Sequence, residues 1–513
     1  MSRPPAAADP AARPRSPRLA TRRTVAIALL LAFITAAGLV VEHHDAFAPL
    51  RFAIRRDAAR MPSTVLAPEL EIVSGLPIVS LYVAPHDLTD PRTGLLPNKM
   101  KHGREWERPG TVSFFEDGRL RFSGGVGVRF HGGGSRITVP EPGFRLYFRR
   151  KHGLAEAPAG AIFDAPHDHP LRRLILHNDV RGDRRTGRWH LVNPLAYDIA
   201  AAIGGITSAA RPARLFLNGE FQGVYVLSEH FHPRDYFETH WRHPVVLSGR
   251  EFDALWAEVS TIERPRMENL SRLIDVDNMT RWVIATIFCA TGDPFQGPGQ
   301  FRDPTRPEAQ WFWVNWDMDL SFRDWRADMF ARLTERIGER RRGRRASEPR
   351  AYLFTRLLAE DPEYREYFKR VWTDAMNHRI PPSFLRERFE HYRAVAVRYG
   401  VADQRYLPRL ETFFERRPAV VRRHAEQWLN TPPSLRLRLS TGGRPVLVDG
   451  WRTGSEYEGH YFPGMLVTLS IPAEDRADFG RWLVNGAVSI TPELTLTVER
   501  DVTVQVEWKG AAG

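Results

Sequence analysis

The sequence predicts an α+β fold, on three observations. Between residues 76 and 228 the apolar residues come in short runs, several alternating with polar ones, which is the period of strands that bury one face. From Asp277 to Leu429 the period lengthens to that of amphipathic helices. After Thr431-Pro432-Pro433, residues 435–510 return to strand-like alternation with Gly and Pro turns, and they read as a separate small all-β module. A chain of 513 residues exceeds what one core organises. With 42% hydrophobic and 26% charged residues, it has the balance of a folded, water-facing protein.

Residues 1–23 form a basic tail rich in Pro, Ala and Arg, the composition of a disordered segment. Residues 24–41 then carry no charge and are long enough to cross a hydrocarbon layer as a transmembrane helix. Arg13, Arg15, Arg18, Arg22 and Arg23 precede this run, and Glu42, His43, His44 and Asp45 follow it. The positive-inside rule therefore leaves the N-terminus in the cytoplasm and everything after the span outside it, at the cell membrane. A cleaved signal peptide, with Ala46-Phe47-Ala48 as its exit, is the alternative; the length of the apolar run favours an uncleaved anchor. Residues 48–75 read as a linker.

Within the strand-like part, Ile78–Val83, Gly127–Phe130, Phe144–Phe148 and Leu174–His177 are short apolar or alternating runs. Pro194–Ile203 has small and apolar residues at helical spacing, and Gly204-Gly205 stops it. Arg214–Leu217 and Phe221–Leu227 flank Asn218-Gly219, the signal of a two-residue type I′ hairpin. Helices are expected over Asn278–Ala290, Ala351–Ala359, Pro362–Ala375, Pro382–Tyr399 and Tyr406–Leu429. In the last module, Val502-Thr503-Val504-Gln505-Val506 alternates as a strand should.

The net charge is +12 and the pI near 10.0, with much of the arginine in the N-terminal tail and in Arg340–Arg345. Such a balance suits nucleic acid, anionic lipid or an acidic substrate. No zinc-finger or RNA-binding signature is present, so nucleic acid is not an expected partner. The Arg340–Arg345 run reads as a solvated loop, with docking to an acidic substrate or lipid head groups as the other reading. The single cysteine, Cys289, excludes an intramolecular disulfide and a multi-cysteine metal site. Lying in the apolar run Trp282–Ala290, it reads as a buried thiol. Trp311, Trp313 and Trp316 read as core.

Four segments, in order, resemble the CotH-type (spore coat protein H-like) atypical kinase family. They are Val128–Arg136 with Phe144–Phe148, Leu215–Glu229, Asp277-Asn278-Met279 leading to Gly292-Asp293, and Trp316-Asp317-Met318-Asp319. The resemblance implies an atypical two-lobed kinase-like domain over residues 76–430. It also implies that this domain binds ATP and a divalent cation such as Mg2+, and phosphorylates hydroxyl side chains of exported proteins.

Phosphoryl transfer needs ligands for a phosphate-bound cation, a carboxylate at the acceptor hydroxyl and donors that neutralise charge. Asp317 and Asp319 follow the apolar run Trp311–Trp316; on a strand, their i, i+2 spacing puts both carboxylates on one face, where they suit a hard cation. An ordinary Asp turn ending a strand is the other reading. Asp293, on a loop after a helix, is the expected catalytic residue that accepts or orients the acceptor proton. The resemblance places an amide before an aromatic a few residues later. Gln300 before Phe301 keeps a carbonyl for a second cation but sets it one methylene further out. Gly132-Gly133-Gly134-Ser135 offers backbone N–H groups, and Arg129 and Arg136 are expected phosphate partners through their fork geometry. Glu229 is expected at the nucleotide or between the lobes, or in a structural ion pair.

One departure stands against this. Where the family carries a lysine just before the Phe144-type aromatic, this chain has Pro140-Glu141-Pro142-Gly143. Two functions of different class follow. The first is an anchored extracytoplasmic protein kinase; the second is a catalytically inactive kinase-like scaffold in assembly of a surface layer or exported polymer. The second is favoured by the missing lysine and the first by Asp293, Asp317 and Asp319. Carbohydrate binding concerns the C-terminal module alone.

Overall fold

The computed structural model describes residues 75–132, 136, 142–163, 170–177, 191–230, 259, 262–292, 300–302, 310–334, 351–400 and 406–510. The expectations for residues 1–23, the span 24–41, the linker up to residue 74, Gly133–Ser135, Asp293 and Arg340–Arg345 fall outside these residues. Among the described residues no helix is long and apolar enough to cross a membrane.

The strand-like part closes into a barrel. Its strands are β1 (Ile78–Val83), β2 (Arg108–Glu116), β3 (Arg119–Phe130) and β4 (Phe144–Tyr147), then β7 (Arg173–His177), β8 (Ala210–Leu217) and β9 (Glu220–Glu229). The two-residue strands β5 (Ala157–Pro158) and β6 (Pro170–Leu171) pair with each other beside it. The barrel order is β1-β2-β3-β4-β7-β9-β8, antiparallel except where β1 meets β8. Alternation decides what fills it: Val126, Val128, Phe144, Leu146, Leu174 and Leu176 turn inward into one apolar cluster.

The β8–β9 hairpin turns on Asn218 and Gly219 with φ of 51° and 88°, the left-handed pair that a type I′ turn requires. Asn218 also closes the barrel. Its amide accepts from the Val83 N–H and donates to the Val83 carbonyl, both at 2.8 Å, so a side chain extends the β1–β8 pairing by one rung.

The helical part comprises α1 (Val192–Ile203), α2 (Val276–Cys289), α3 (Tyr352–Glu360), α4 (Pro362–Asp374), α5 (Pro382–Tyr399) and α6 (Tyr406–Leu429). They share one core, to which the two tryptophans Trp311 and Trp313 also belong. The helix expected over Pro362–Ala375 ends one residue early and runs on as a π-helical turn, Ala375–Arg379. Cys289 is fully buried, as its apolar surroundings imply.

Residues 435–508 form a five-stranded and a four-stranded sheet around their own core. Val502, Val504 and Val506 all turn inward and Thr503 and Gln505 outward. The module is seated on the helices by specific contacts. Phe462 enters the helical core, and the Asn377 amide pairs with the backbone of His460 through two 3.0 Å bonds. His378 lies between the rings of Trp451 and Tyr457, at 6.0 and 5.6 Å, and the Trp451 indole donates to Asp374 at 2.9 Å.

Candidate active site

Helix α2 positions both acidic segments. Asp275 caps it, accepting from the Asn278 N–H at 2.9 Å. Asn278 is buried, and its amide holds the neighbouring strand from both sides. It donates to the Trp313 carbonyl at 3.0 Å and accepts from the Trp313 N–H. That strand, β11 (Phe312–Trp313), pairs with β10 (Gln300–Phe301) and leads directly to Asp317. Asp277 is taken by Arg281 at 2.7 Å and by the Tyr367 hydroxyl, so it ties α2 to α4.

At the other end of α2, Ala290 turns the chain with φ of 50°. The residues that follow are clasped to the acidic loop. Gly292 N–H donates to the Leu320 carbonyl at 3.1 Å and Phe322 N–H to the Cys289 carbonyl at 2.8 Å, while the hydroxyls of Thr291 and Ser321 lie 2.9 Å apart. A fully buried arginine from α6 fixes the same place. Arg417 donates to the carbonyls of Ile287, Phe288 (3.0 Å), Trp325 (2.9 Å) and Ala327 (2.8 Å). Burial pushes its pKa down to about 10, so the guanidinium stays charged at neutral pH. The segment that ends at Gly292, immediately before Asp293, is thereby held against Leu320–Phe322, which directly follow Asp317 and Asp319.

The acidic loop corrects one expectation. The strand stops at Trp313, and Asp317 takes a left-handed φ of 56°, so Asp317 and Asp319 are not placed by strand alternation. Asp tolerates that region better than most residues do. Asp319 is buried and Asp317 half-buried, and the Asp317 N–H donates to the Tyr197 hydroxyl at 3.2 Å. Trp316 is not core either. Half-buried, it lies 6.5 Å from the Tyr197 ring and 6.3 Å from that of His230. Asn315 is fixed by its N–H to the Ile206 carbonyl at 2.9 Å, and its side chain fills the space over Gly205, where a Cβ would come within 2.4 Å of Oδ1. Gln300 pairs in register with Trp313, four residues before Asp317. Among the described residues no three His, Cys, Asp or Glu side chains gather into a metal cage. Two carboxylates on one loop are nevertheless the hard oxygen donors a phosphate-bound Mg2+ takes from a protein.

On the barrel, the two arginines expected at phosphate are engaged within the fold. Arg129 forks onto Glu107 at 2.7 and 3.1 Å. Arg136 is buried and donates to the carbonyls of Phe130, Gly132, Lys99 and Lys101 at 2.6–3.0 Å, which leaves one of its five N–H groups. Glu107 itself is fully shielded, with Lys151 at 2.8 Å, His152 at 3.1 Å and Arg149 at 3.3 Å. Burial alone would raise its pKa; the hydrogen bonds from Lys151, His152 and Arg129 outweigh that and hold it at about 2. Arg145 donates through Nε to Nδ1 of His131 at 2.9 Å. Burial first, then the charges of His177 and Arg145, push the His131 pKa well down, so the ring is neutral and can accept. Glu229 is buried at the end of β9, its N–H on the Ala209 carbonyl at 2.9 Å.

The CotH kinase protein family model matches residues 128–245 and 247–430, more than half of the chain. The chain belongs to the CotH kinase family. Membership places it among CotH-type protein kinases, and a kinase draws its phosphoryl group from ATP. Among solved structures, the chain is matched to the proinflammatory kinase CtkA of Helicobacter pylori, 10% identical, with a TM-score of 0.25 over 65% of this chain and 95% of that one. No curated protein matches the chain. The CotH match takes in Arg129, Arg136, Glu229, Asp293, Gln300, Asp317 and Asp319, and begins after Glu107.

Tyr197, Asn278, Trp316 and Arg417 shape this site without having been read as doing so. Asn278 carried a signal, being a polar residue at an inward position of an otherwise apolar helix. Arg417 carried none, since its partners lie 90 to 130 residues away. A cavity of about 670 Å3 lies elsewhere, between α4, α5, α6 and the C-terminal module, and none of the motif residues line it.

Proposed function

We propose that the chain is a membrane-anchored extracytoplasmic protein kinase that transfers the ATP phosphoryl group to hydroxyl side chains of exported proteins. One observation carries the reading: the end of α2 and the residues up to Gly292, which lead to Asp293, are clasped to Leu320–Ala327, the segment that directly follows Asp317 and Asp319, by two backbone bonds, a hydroxyl pair and Arg417. Phosphoryl transfer asks for carboxylates at the cation and one at the acceptor, and this clasp ties the segment leading to Asp293 to the one following Asp317 and Asp319. Asp317 and Asp319 would hold a divalent cation, which neutralises phosphate charge when bound. Asp293, one residue beyond the clasp, takes or orients the acceptor proton. Residues 24–41 would anchor the chain, with the kinase-like two-lobed domain over 76–430 and the module over 435–510 outside the membrane.

The experiment is a comparison of two variants by nucleotide binding and phosphate transfer. Asp317→Ala should abolish metal-dependent ATP binding. Asp293→Asn should keep binding and lower turnover by roughly 10²–10⁴-fold, the scale of a lost general base. Equal transfer by both variants would overturn the residue roles. A wild-type chain that binds no nucleotide with any divalent cation would overturn the kinase reading in favour of an inactive scaffold.

A further inference from the structure

The segment running from Leu95 to Trp106 closes over the outer face of β3 and β4 and leaves a cavity of about 60 Å3. Its lining includes Lys101, His102, Arg129, Arg136 and Arg145, and among the described residues it contains no carboxylate. The cations differ in how they are held. Arg129 shares its charge with Glu107, which also serves Arg149 and Lys151. Arg136 is buried against neutral carbonyls, and burial, with Arg145 nearby, lowers its pKa. Arg145 is oriented by neutral His131 through Nε, and its two terminal nitrogens bond to none of the described residues. Buried or half-buried guanidinium groups without counter-charge are costly, and an anion between them offsets that cost. Ligand pockets for whole cofactors run to roughly 300–1,000 Å3, so this one has room for a single small oxyanion. Half of its wall, residues 95–106, also lies outside the family match.

We propose that this cavity is an oxyanion subsite for one phosphate monoester, gripped by Arg145 and Lys101, on an acceptor protein and separate from the nucleotide site. The grip on an anion stands on the cavity alone, whereas the acceptor protein rests on the kinase reading. The same chemistry would also admit free phosphate. Arg145 provides the fork, Lys101 a mobile charge at the exposed rim, and Arg136 the fixed positive floor.

Calorimetric titration of the detergent-solubilised full chain with inorganic phosphate, at constant ionic strength, tests this. Phosphate should bind saturably where chloride does not. Arg145→Gln should weaken binding by about tenfold or more, the scale of one charge-assisted contact. Lys101→Gln, at an exposed position, should weaken it without touching the barrel wall, and Arg481→Gln, on the C-terminal module, should bind as wild type. A phosphoserine peptide should compete with phosphate, whereas ATP with Mg2+ should not. Absence of saturable phosphate binding, or wild-type affinity in both Arg145→Gln and Lys101→Gln, would overturn the subsite. Failure of the peptide to compete would overturn the acceptor, leaving a free-ion site, and displacement by ATP would overturn its separateness. Phosphate binding that persists in a chain unable to bind ATP would sink the kinase reading, and the acceptor with it, and leave the anion site standing.

Discussion

The guanidinium of Arg417 meets four carbonyls, two at the end of α2 and two at Trp325 and Ala327, a reach that an ammonium lacks. Arg417→Lys is therefore expected to destabilise the chain by about 2–4 kcal/mol in urea unfolding, through carbonyls left unpaired in the core. A change within about 0.5 kcal/mol, the range of an ordinary surface substitution, would refute that role. Glu107 makes a second prediction, about pH. Its carboxyl is held at about 2 in the fold against 4.5 without it. Its contribution is thus complete above about pH 4.5 and is lost as pH falls towards 2. The melting temperature of wild type should exceed that of Glu107→Gln at neutral pH, and the gap should close on acidification; a constant gap would count against it. Neither residue could be read in advance. An arginine on an amphipathic helix looks solvated, and a glutamate before a strand looks exposed. What buries them is partners brought from afar by the fold.

Elements were more legible than residues, because periodicity is a local property. Helix α6 has the expected bounds, Tyr406–Leu429, and so does α5, Pro382–Tyr399; the hairpin at Asn218-Gly219 also follows its sequence signal. The run Trp311–Trp316 misled, since apolar composition says that a segment is buried but not for how long it stays extended. The glycines of β3 carry a testable consequence. A Cβ on Gly125 would lie 1.7 Å from the His152 carbonyl oxygen, and one on Gly127 would lie 2.6 Å from the Glu107 carboxyl carbon. The turn Arg150–His152 leans on the strand at that point and so delivers Lys151 and His152 to Glu107. Gly125→Ala should cost about 1–3 kcal/mol, the scale of an overpacked site. Gly454→Ala, where nothing lies within 4 Å, should cost little. Parallel thermal melts compare them, and equal losses would refute the close-approach argument.

For the whole molecule, the three regions of different period were visible in the sequence, but not the way the last is seated. A break at Thr431-Pro432-Pro433 suggests that residues up to 430 fold without the module. Phe462, however, sits in the helical core. A chain ending at Asn430 is therefore expected to unfold cooperatively yet be less stable by about 2–3 kcal/mol, the worth of one buried phenyl ring. Denaturant melts decide: unchanged stability would argue against the seating, and loss of cooperativity against the boundary. The parallel pairing of β1 with β8 has a consequence in time rather than in space. On the edge turned away from β2, residues 78–81 are matched by residues 214–217, and β9 must arrive before β7 and β8 are joined. At roughly 5–20 residues per second, a ribosome needs about 8–30 s to travel from Ile78 to Glu229. Throughout that interval β1 shows the growing chain an unpaired edge, open to the wrong neighbour. The barrel is in this sense among the later parts of its own half to become safe, and a pause in synthesis before Ala210 would lengthen the exposure.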